Sequence, residues 1–327
     1  MFSVPYSRYI VYPVPWYSFL IVLGVALAIF LACREERRLG LKKDTVIDLT
    51  LWVLPVGIIG ARVYYVLFSW DQFRYDPLSV LKIWEGGIAI YGAVIAGLIT
   101  VFVFSRRRNF PALLLCDLIA PGLALAQAIG RWGNYFNMEA YGLPVTQSVL
   151  RFFPFAVQIQ ENGSLVWHMA TFFYESVWDF SVFAFLMLVR HRLLCRLGDV
   201  FFFYIYLYAA GRFVIEDLRI DSLYAASGVR VSQLLSALLC LLLLIRYFIL
   251  LRKSSAFKGY LHYPVATVAF ICSCFQLFYS LSPSFLTHTS LALRLSFLGG
   301  SSFLLIVSLF LVYIPFSQEV RHADNKD

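Results

Sequence analysis

The stretch PWYSFLIVLGVALAIFLA, residues 15–32, decides the fold class. It contains no Asp, Glu, Lys or Arg, and the charged hexapeptide CREERR, residues 33–38, follows at once. As a helix this run rises about 27 Å, close to the ~30 Å hydrocarbon thickness of a bilayer. The pattern recurs along the chain: Leu49 to Phe68, Gly86 to Phe104, Leu113 to Trp132, Thr171 to Val189, Val200 to Ile215 and Val229 to Leu251 complete a set of seven runs. Two more follow, Pro264 to Leu281 and Leu291 to Pro315. The run from Val200 is short and is expected to extend at an end.

Composition agrees. Of 327 residues, 61% are hydrophobic and 14% charged, against about a quarter charged in soluble domains. A water-soluble globule, a disordered chain, a coiled coil and a disulfide scaffold are all excluded by these values. The net charge of +8 does not indicate nucleic acid, because the basic residues form short clusters between apolar runs. The six cysteines (Cys33, Cys116, Cys195, Cys240, Cys272, Cys274) include no CxxC pair, and the five histidines (His168, His191, His262, His288, His322) show no metal-ligand spacing. No metal or cofactor is expected. Only Arg8 precedes the first run and no small-residue cleavage site follows it, so no cleaved signal peptide is expected.

The basic clusters set the orientation. Arg34, Arg37, Arg38, Lys42 and Lys43 follow the first run, and Arg106, Arg107 and Arg108 the third. Arg190, Arg192 and Arg196 follow the fifth, and Arg252, Lys253 and Lys258 the seventh. The alternate connections hold few basic residues: Arg74 and Lys82, then Arg219. The positive-inside rule therefore predicts an N-terminus outside. One outside connection, Gly133 to Ala170, is long, polar and aromatic, with room for a small surface element.

Ionisable residues in membrane runs cost about 2.5–3.5 kcal/mol each at mid-bilayer, which marks them for function. Here they gather at the outer run ends: Arg62, Arg131 with Asn134, Asn137 and Glu139, then Glu175, Arg212, Glu216, Arg219 and Gln233. Tyr208, Arg212 and Glu216 are spaced by four and share one helix face. Arg131, Asn134 and Asn137 share a face too if the helix continues through Gly133. Arg212 and Glu216 alone would suit an ion pair joining helices. Several arginines at one depth suit the bidentate gripping of phosphate, and so a phospholipid head group. Gly86 and Gly87 suggest a turn or pocket wall, and Gly97 helix packing. His168 is expected to be a solvated loop residue, and Glu175 a structural ion-pair partner.

The segment Gly130-Arg131-Trp132-Gly133-Asn134-Tyr135-Phe136-Asn137-Met138-Glu139-Ala140-Tyr141-Gly142 resembles the signature of the prolipoprotein diacylglyceryl transferase family. Trp16-Tyr17, Gly60-Ala61-Arg62-Val63-Tyr64-Tyr65-Val66 and Glu85-Gly86-Gly87-Ile88-Ala89-Ile90-Tyr91-Gly92 are similar to its motifs in the first three helices. Thr171 to Ser176, Tyr208 to Glu216 and Asp221-Ser222-Leu223 complete the resemblance, which spans roughly residues 10–250. Two features depart from it. Tyr91 stands where many members carry His, and residues from Lys253 to Asp327 have no counterpart in the family core.

The resemblance implies an all-α polytopic membrane protein of the bacterial cytoplasmic (inner) membrane. Residues 1–253 would form a seven-helix core, with 133–170 as an extracytoplasmic loop region, and the two further apolar runs make 254–327 an extension of two membrane helices outside that core. The implied enzyme moves a diacylglyceryl group from phosphatidylglycerol to the lipobox cysteine thiol of a prolipoprotein signal peptide, the first step of lipoprotein maturation. A thioether forms and glycerol phosphate leaves, at the extracytoplasmic leaflet. Arg131, Arg212 and Tyr91 are the implied catalytic residues: the arginines clamp the phosphate and Tyr91 assists thiol deprotonation. Asn134, Asn137 and Glu139 are expected to position the head group and brace Arg131, and Glu216 to orient Arg212. Tyr17, Tyr208, Gly86, Gly87, Gly92 and Gly142 are expected to line the substrate site. Arg62 is either a second phosphate contact or structural. The alternatives are a catalytically silent family member that binds lipid or prolipoprotein, and a transporter. A transporter predicts polar groups through the full membrane depth and internal repeats.

Overall fold

In lipid every backbone N–H and C=O needs an internal partner, so uncharged runs of this length fold as helices. The computed structural model describes residues 7–161, 163–191, 196–224, 229–252, 262–281 and 290–324. Arg192, Cys195, Lys253, Lys258 and His288 lie outside them, as does the chain after 324.

Nine long helices among the described residues occupy the nine apolar runs. They are α1 (Trp16–Arg38), α2 (Thr45–Phe68), α4 (Ile90–Arg108), α5 (Ala112–Asn137), α6 (Thr171–Val189), α7 (Asp199–Ile215), α8 (Val231–Arg252), α9 (His262–Leu281) and α10 (Leu291–Asp324). A four-residue helix, α3 (Trp70–Phe73), lies between α2 and α4. Two short antiparallel ribbons complete the fold: β1 (Tyr9–Val11) with β2 (Val14–Pro15), and β3 (Ala156–Glu161) with β4 (Ser164–Met169).

Among the described residues seven helices are long and apolar enough to cross a membrane, but they are not the first seven. The run expected to lengthen, α7, gains only Asp199 and stops at 17 residues, continuing as a 3-10 turn over Glu216–Leu218. The apolar part of α9, Thr267–Leu281, is short as well, whereas α10 supplies a full span. A second correction concerns α5. It does not end at Trp132 but continues through Gly133 to Asn137, so the outer connection begins at Met138. A Cβ at residue 133 would sit 2.5 Å from the Tyr17 ring, so Gly133 serves close packing on α1 and not a turn.

The chain forms two compact units, Ala26–Gly122 and Met1–Val25 with Leu123–Asp327. In the first, α2 and α4 pack along a seam of small residues. A Cβ on Gly60 would collide with Ala96, and one on Gly92 with the Gly60 carbonyl and Tyr64. At the basic end the Glu36 carboxylate accepts from the Asp44 and Val46 amides at 3.0 and 2.6 Å, which caps the start of α2. Arg108 reaches Asp48 there at 2.7 Å. At the other end of α2, the loop between α3 and α4 folds around Arg62.

In the second unit, α5, α6 and α7 are joined by polar side chains. Ser176 donates to the Ala128 carbonyl at 2.8 Å and accepts from the Trp132 indole at 3.0 Å. Tyr204 donates to Gln127 at 2.9 Å. The Trp178 indole donates to the Leu207 carbonyl at 2.9 Å and covers Gly211, where any side chain would overlap the ring. Helices α8 and α10 pack on the same α7, and α9 packs on α8 and α10, with its Tyr279 reaching Phe213.

Candidate active site

Arg131 lies two residues before Gly133 on α5, Glu175 and Asp179 lie one turn apart on α6, and Tyr208 and Arg212 one turn apart on α7. Packing of these helices brings the charges together. Arg131 Nε lies 2.8 Å from Glu175 Oε2 and 4.0 Å from Asp179 Oδ2. Arg212 Nη1 donates to Glu175 Oε1, and its Nη2 lies 2.6 Å from Glu216 Oε2. Arg219 Nη1 donates to the same Glu175 Oε1 at 3.2 Å. One carboxylate, 3% exposed, thus gathers three guanidinium groups drawn from α5, α7 and the turn after α7.

An indentation of ≈ 180 Å³ opens beside this cluster, lined by Arg131, Glu175, Trp178, Asp179, Tyr208, Arg212 and Ile215. Arg131 meets Glu175 through its Nε. Glu216 is fully buried. Arg219 also holds Asp221 through two bonds of 2.9 and 2.7 Å. Burial opposes the Arg219 charge, but that hydrogen bond and the charges of Glu175, Asp221 and Glu216 outweigh it and raise its pKa above the ordinary guanidinium value.

Above this cluster α5 ends in a polar turn. The Glu139 amide donates to the Asn134 carbonyl at 3.0 Å, and Asn137 Nδ2 donates to Glu139 Oε1 at 3.2 Å. Asn134 and Glu139 line a second hollow of ≈ 230 Å³ with Tyr141, Gln158 and Phe172. The carboxylate that meets Arg131 is Glu175, while Glu139 meets Asn137. Tyr17 packs its ring on Gly133, one turn from the start of this segment.

Gly142 fastens the turn to the rest of the site. Its amide donates to the Met169 carbonyl at 2.8 Å, and the next amide, of Leu143, donates to Leu218 at 2.9 Å. Gly142 also bridges Arg219 in antiparallel fashion. A Cβ there would lie 2.7 Å from Thr171 and 2.8 Å from the Leu218 carbonyl. His168 is not a solvated loop residue. It is 2% exposed within β4, its Nδ1 donates to the Gly142 carbonyl at 2.8 Å, and its Nε2 lies 3.2 Å from Glu161. The β3–β4 hairpin therefore clamps the Asn134–Gly142 segment against the chain that carries Arg219.

The remaining expected residues belong to the other unit. Arg62, 7% exposed, donates from Nε to Val80, from Nη1 to Gly86 and Gly87, and from Nη2 to Ser79 and Lys82, all backbone carbonyls. Its guanidinium also stacks 5.0 Å from the Phe73 ring. Of the two readings of Arg62 this geometry supports the structural one, because every N–H of the fork already has an acceptor. Gly86 and Gly87 have φ of +92° and +69°, the left-handed region that lets both carbonyls turn toward that fork. Gly92 lies in the α2–α4 seam, and the Tyr91 ring sits 6.3 Å from that of Tyr64.

Sequence reasoning left Glu175, Asp179 and Arg219 out of the site. The available signal was the four-residue spacing of two acids inside one apolar run.

A model of the prolipoprotein diacylglyceryl transferase family matches residues 6–249. The chain belongs to this family. Curated relatives named phosphatidylglycerol–prolipoprotein diacylglyceryl transferase agree along most of their lengths. The protein from Enterococcus faecalis is 47% identical over 227 residues, 68% of this chain and 82% of its own. That from Streptococcus agalactiae is 43% identical over 232 residues, 71% and 89% of the two chains. That from Halalkalibacterium halodurans is 42% identical over 258 residues, 77% and 88%. This prolipoprotein diacylglyceryl transferase family member is thus an enzyme, a transferase of lipoprotein biosynthesis, and a helical membrane protein.

Proposed function

We propose that the protein transfers the diacylglyceryl group of phosphatidylglycerol to the lipobox cysteine of a prolipoprotein signal peptide, at the extracytoplasmic leaflet of the bacterial inner membrane. The cysteine sulfur forms a bond to the lipid glycerol carbon, the carbon–oxygen bond to the phosphate breaks, and glycerol phosphate leaves with the electron pair. The thiol proton is released.

The reading rests on the convergence of Arg131, Arg212 and Arg219 around Glu175. Charge grows on the departing phosphate as the bond breaks, and fixed cations in a water-poor site stabilise that charge. In this reading Arg131 and Arg212 grip the phosphate, Glu216 orients Arg212, and Asn134, Asn137 and Glu139 meet the head-group hydroxyls. Tyr208 walls the phosphate side, and Gly142 keeps the Arg219 strand in place. Tyr17 shapes the surroundings of the substrates, while Arg62 with Gly86 and Gly87 holds the 79–87 loop and Gly92 the α2–α4 seam. Tyr91 is assigned the thiol side. A free thiol, of pKa about 8.5, is mostly protonated at neutral pH, so a proton acceptor speeds its attack.

The deciding experiment incubates the purified full chain, in phosphatidylglycerol vesicles, with a lipobox peptide. The expected product is a peptide heavier by one diacylglyceryl group, with stoichiometric glycerol phosphate. Release of glycerol phosphate without peptide modification, or no product at all, would refute the assignment.

A further inference from the structure

Two buried acids mark the ends of α7, and each is held in part by residues beyond the family-matched stretch, which ends at 249. Asp217, 1% exposed, directly follows Glu216, the carboxylate that meets Arg212. Arg230 donates to Asp217 Oδ1 at 2.6 Å. Tyr279, on α9, donates to the same oxygen at 2.7 Å. Arg294, on α10, places Nε 2.7 Å from Asp217 Oδ2. At the opposite end of α7, Asp199 accepts from Tyr313 of α10 and, at 3.3 Å, from Tyr247 of α8. Midway, Tyr206 donates to the Leu305 carbonyl at 2.9 Å. Phe213, the residue after Arg212, is packed with Tyr279 and Leu298.

A pair of helices added only to face lipid would need none of these bonds. A charged group buried at this depth is costly unless it is paired and hydrogen-bonded, so each contact constrains where Asp217 sits. Asp217 shares one 3-10 turn with Glu216, so fixing one carboxylate fixes the backbone that aims the other.

We propose that α9 and α10 are an internal brace for the reacting site, in which Tyr279 and Arg294 hold Asp217 and thereby set the position of Glu216 and the Arg212 guanidinium. Tyr279 and Arg294 are positioning residues and touch no substrate. The kinetic half of this inference rests on the proposed transfer reaction, whereas the mechanical half rests on geometry alone.

The test uses the full chain in phosphatidylglycerol vesicles, with Arg294→Leu, Arg294→Lys and Tyr279→Phe. Amide hydrogen exchange across residues 208–218 reads the brace, and kcat and KM for a lipobox peptide read its effect. Arg294→Leu is expected to speed exchange in this segment and lower kcat ten- to a hundredfold, with KM held within about twofold, as for a misplaced catalytic group. Arg294→Lys should recover most of both, and Tyr279→Phe should move both in the same direction by less. If Arg294→Leu does not accumulate, Tyr279→Phe decides alone, since it removes a single hydroxyl. Unchanged exchange in a folded variant overturns the brace. Faster exchange with kcat unchanged overturns its link to Arg212. A parent protein that lipidates no peptide overturns the transfer reading and leaves exchange to judge the brace.

Discussion

Glu175 makes the site a network and not a set of separate charges. It is buried and shared by Arg131, Arg212 and Arg219. Glu175→Ala would take a shared partner from three cations and leave Arg131 with Asp179 at 4.0 Å, and breaking a buried pair in this way costs about 3–5 kcal/mol. Thermal unfolding in detergent should show a large fall in midpoint for Glu175→Ala, and a smaller one for the isosteric Glu175→Gln. The arginines carry a different expectation. Removing one charge-assisted contact made in the transition state costs about 2.7–4 kcal/mol, or 10²–10³ in rate. Arg131→Ala and Arg212→Ala should lose that much peptide lipidation in membranes where the protein still inserts. Either variant at parental rate would dismiss the phosphate grip. Tyr91→Phe at normal turnover would remove the phenol from the thiol side. At this scale the sequence made Arg131, Arg212 and Glu216 visible through their spacing along single helices. The role of Glu175 was hidden because its partners come from other helices, and spacing along one helix reports nothing about a neighbour. The environment of His168 was hidden for the same reason, since a strand contact with Gly142 fixes it.

Elements were legible where apolar length alone decides. All nine runs became helices, with ends displaced by a few residues. The exceptions have identifiable causes. Helix α5 passes Gly133 because that glycine meets a tyrosine ring, and α7 stays short because its last turn tightens around Glu216 and Asp217. Glycine therefore reads ambiguously from sequence: Gly86 and Gly87 are turns, whereas Gly60, Gly92 and Gly211 are contact points. The contact at Gly92 gives a prediction at this scale. Gly92→Leu forces the α2–α4 seam apart, an overpacking that costs typically about 1–3 kcal/mol or more. Reduced accumulation and a lower unfolding midpoint, with Gly97→Leu affected far less, would bear this out. Gly97 has the more open surroundings, its nearest added-Cβ neighbour being Val53 at 4.0 Å.

For the whole molecule the basic clusters are the topological argument, and it can be checked directly. We expect Ser7→Cys to react with a membrane-impermeant maleimide on intact cells, and Arg107→Cys only after permeabilisation, in a variant whose native cysteines are replaced. The opposite pattern would invert the proposed sidedness. The family-matched part was readable at this scale because the signature and six of the apolar runs lie wholly within residues 6–249. The bearing of the last two helices on the core was not, because Tyr279, Arg294 and Tyr313 look like ordinary interfacial residues until their acidic partners are seen.

The shared carboxylate has one more consequence. Under the proposed reaction, an arriving phosphodiester competes with Glu175 and Glu216 for the Arg212 nitrogens that those carboxylates already hold. Its affinity in the proposed reaction would then be the difference between two similar pairings. On that reading the carboxylate would take back its bonds as the spent head group leaves, and the residue that holds the cradle together would also help release.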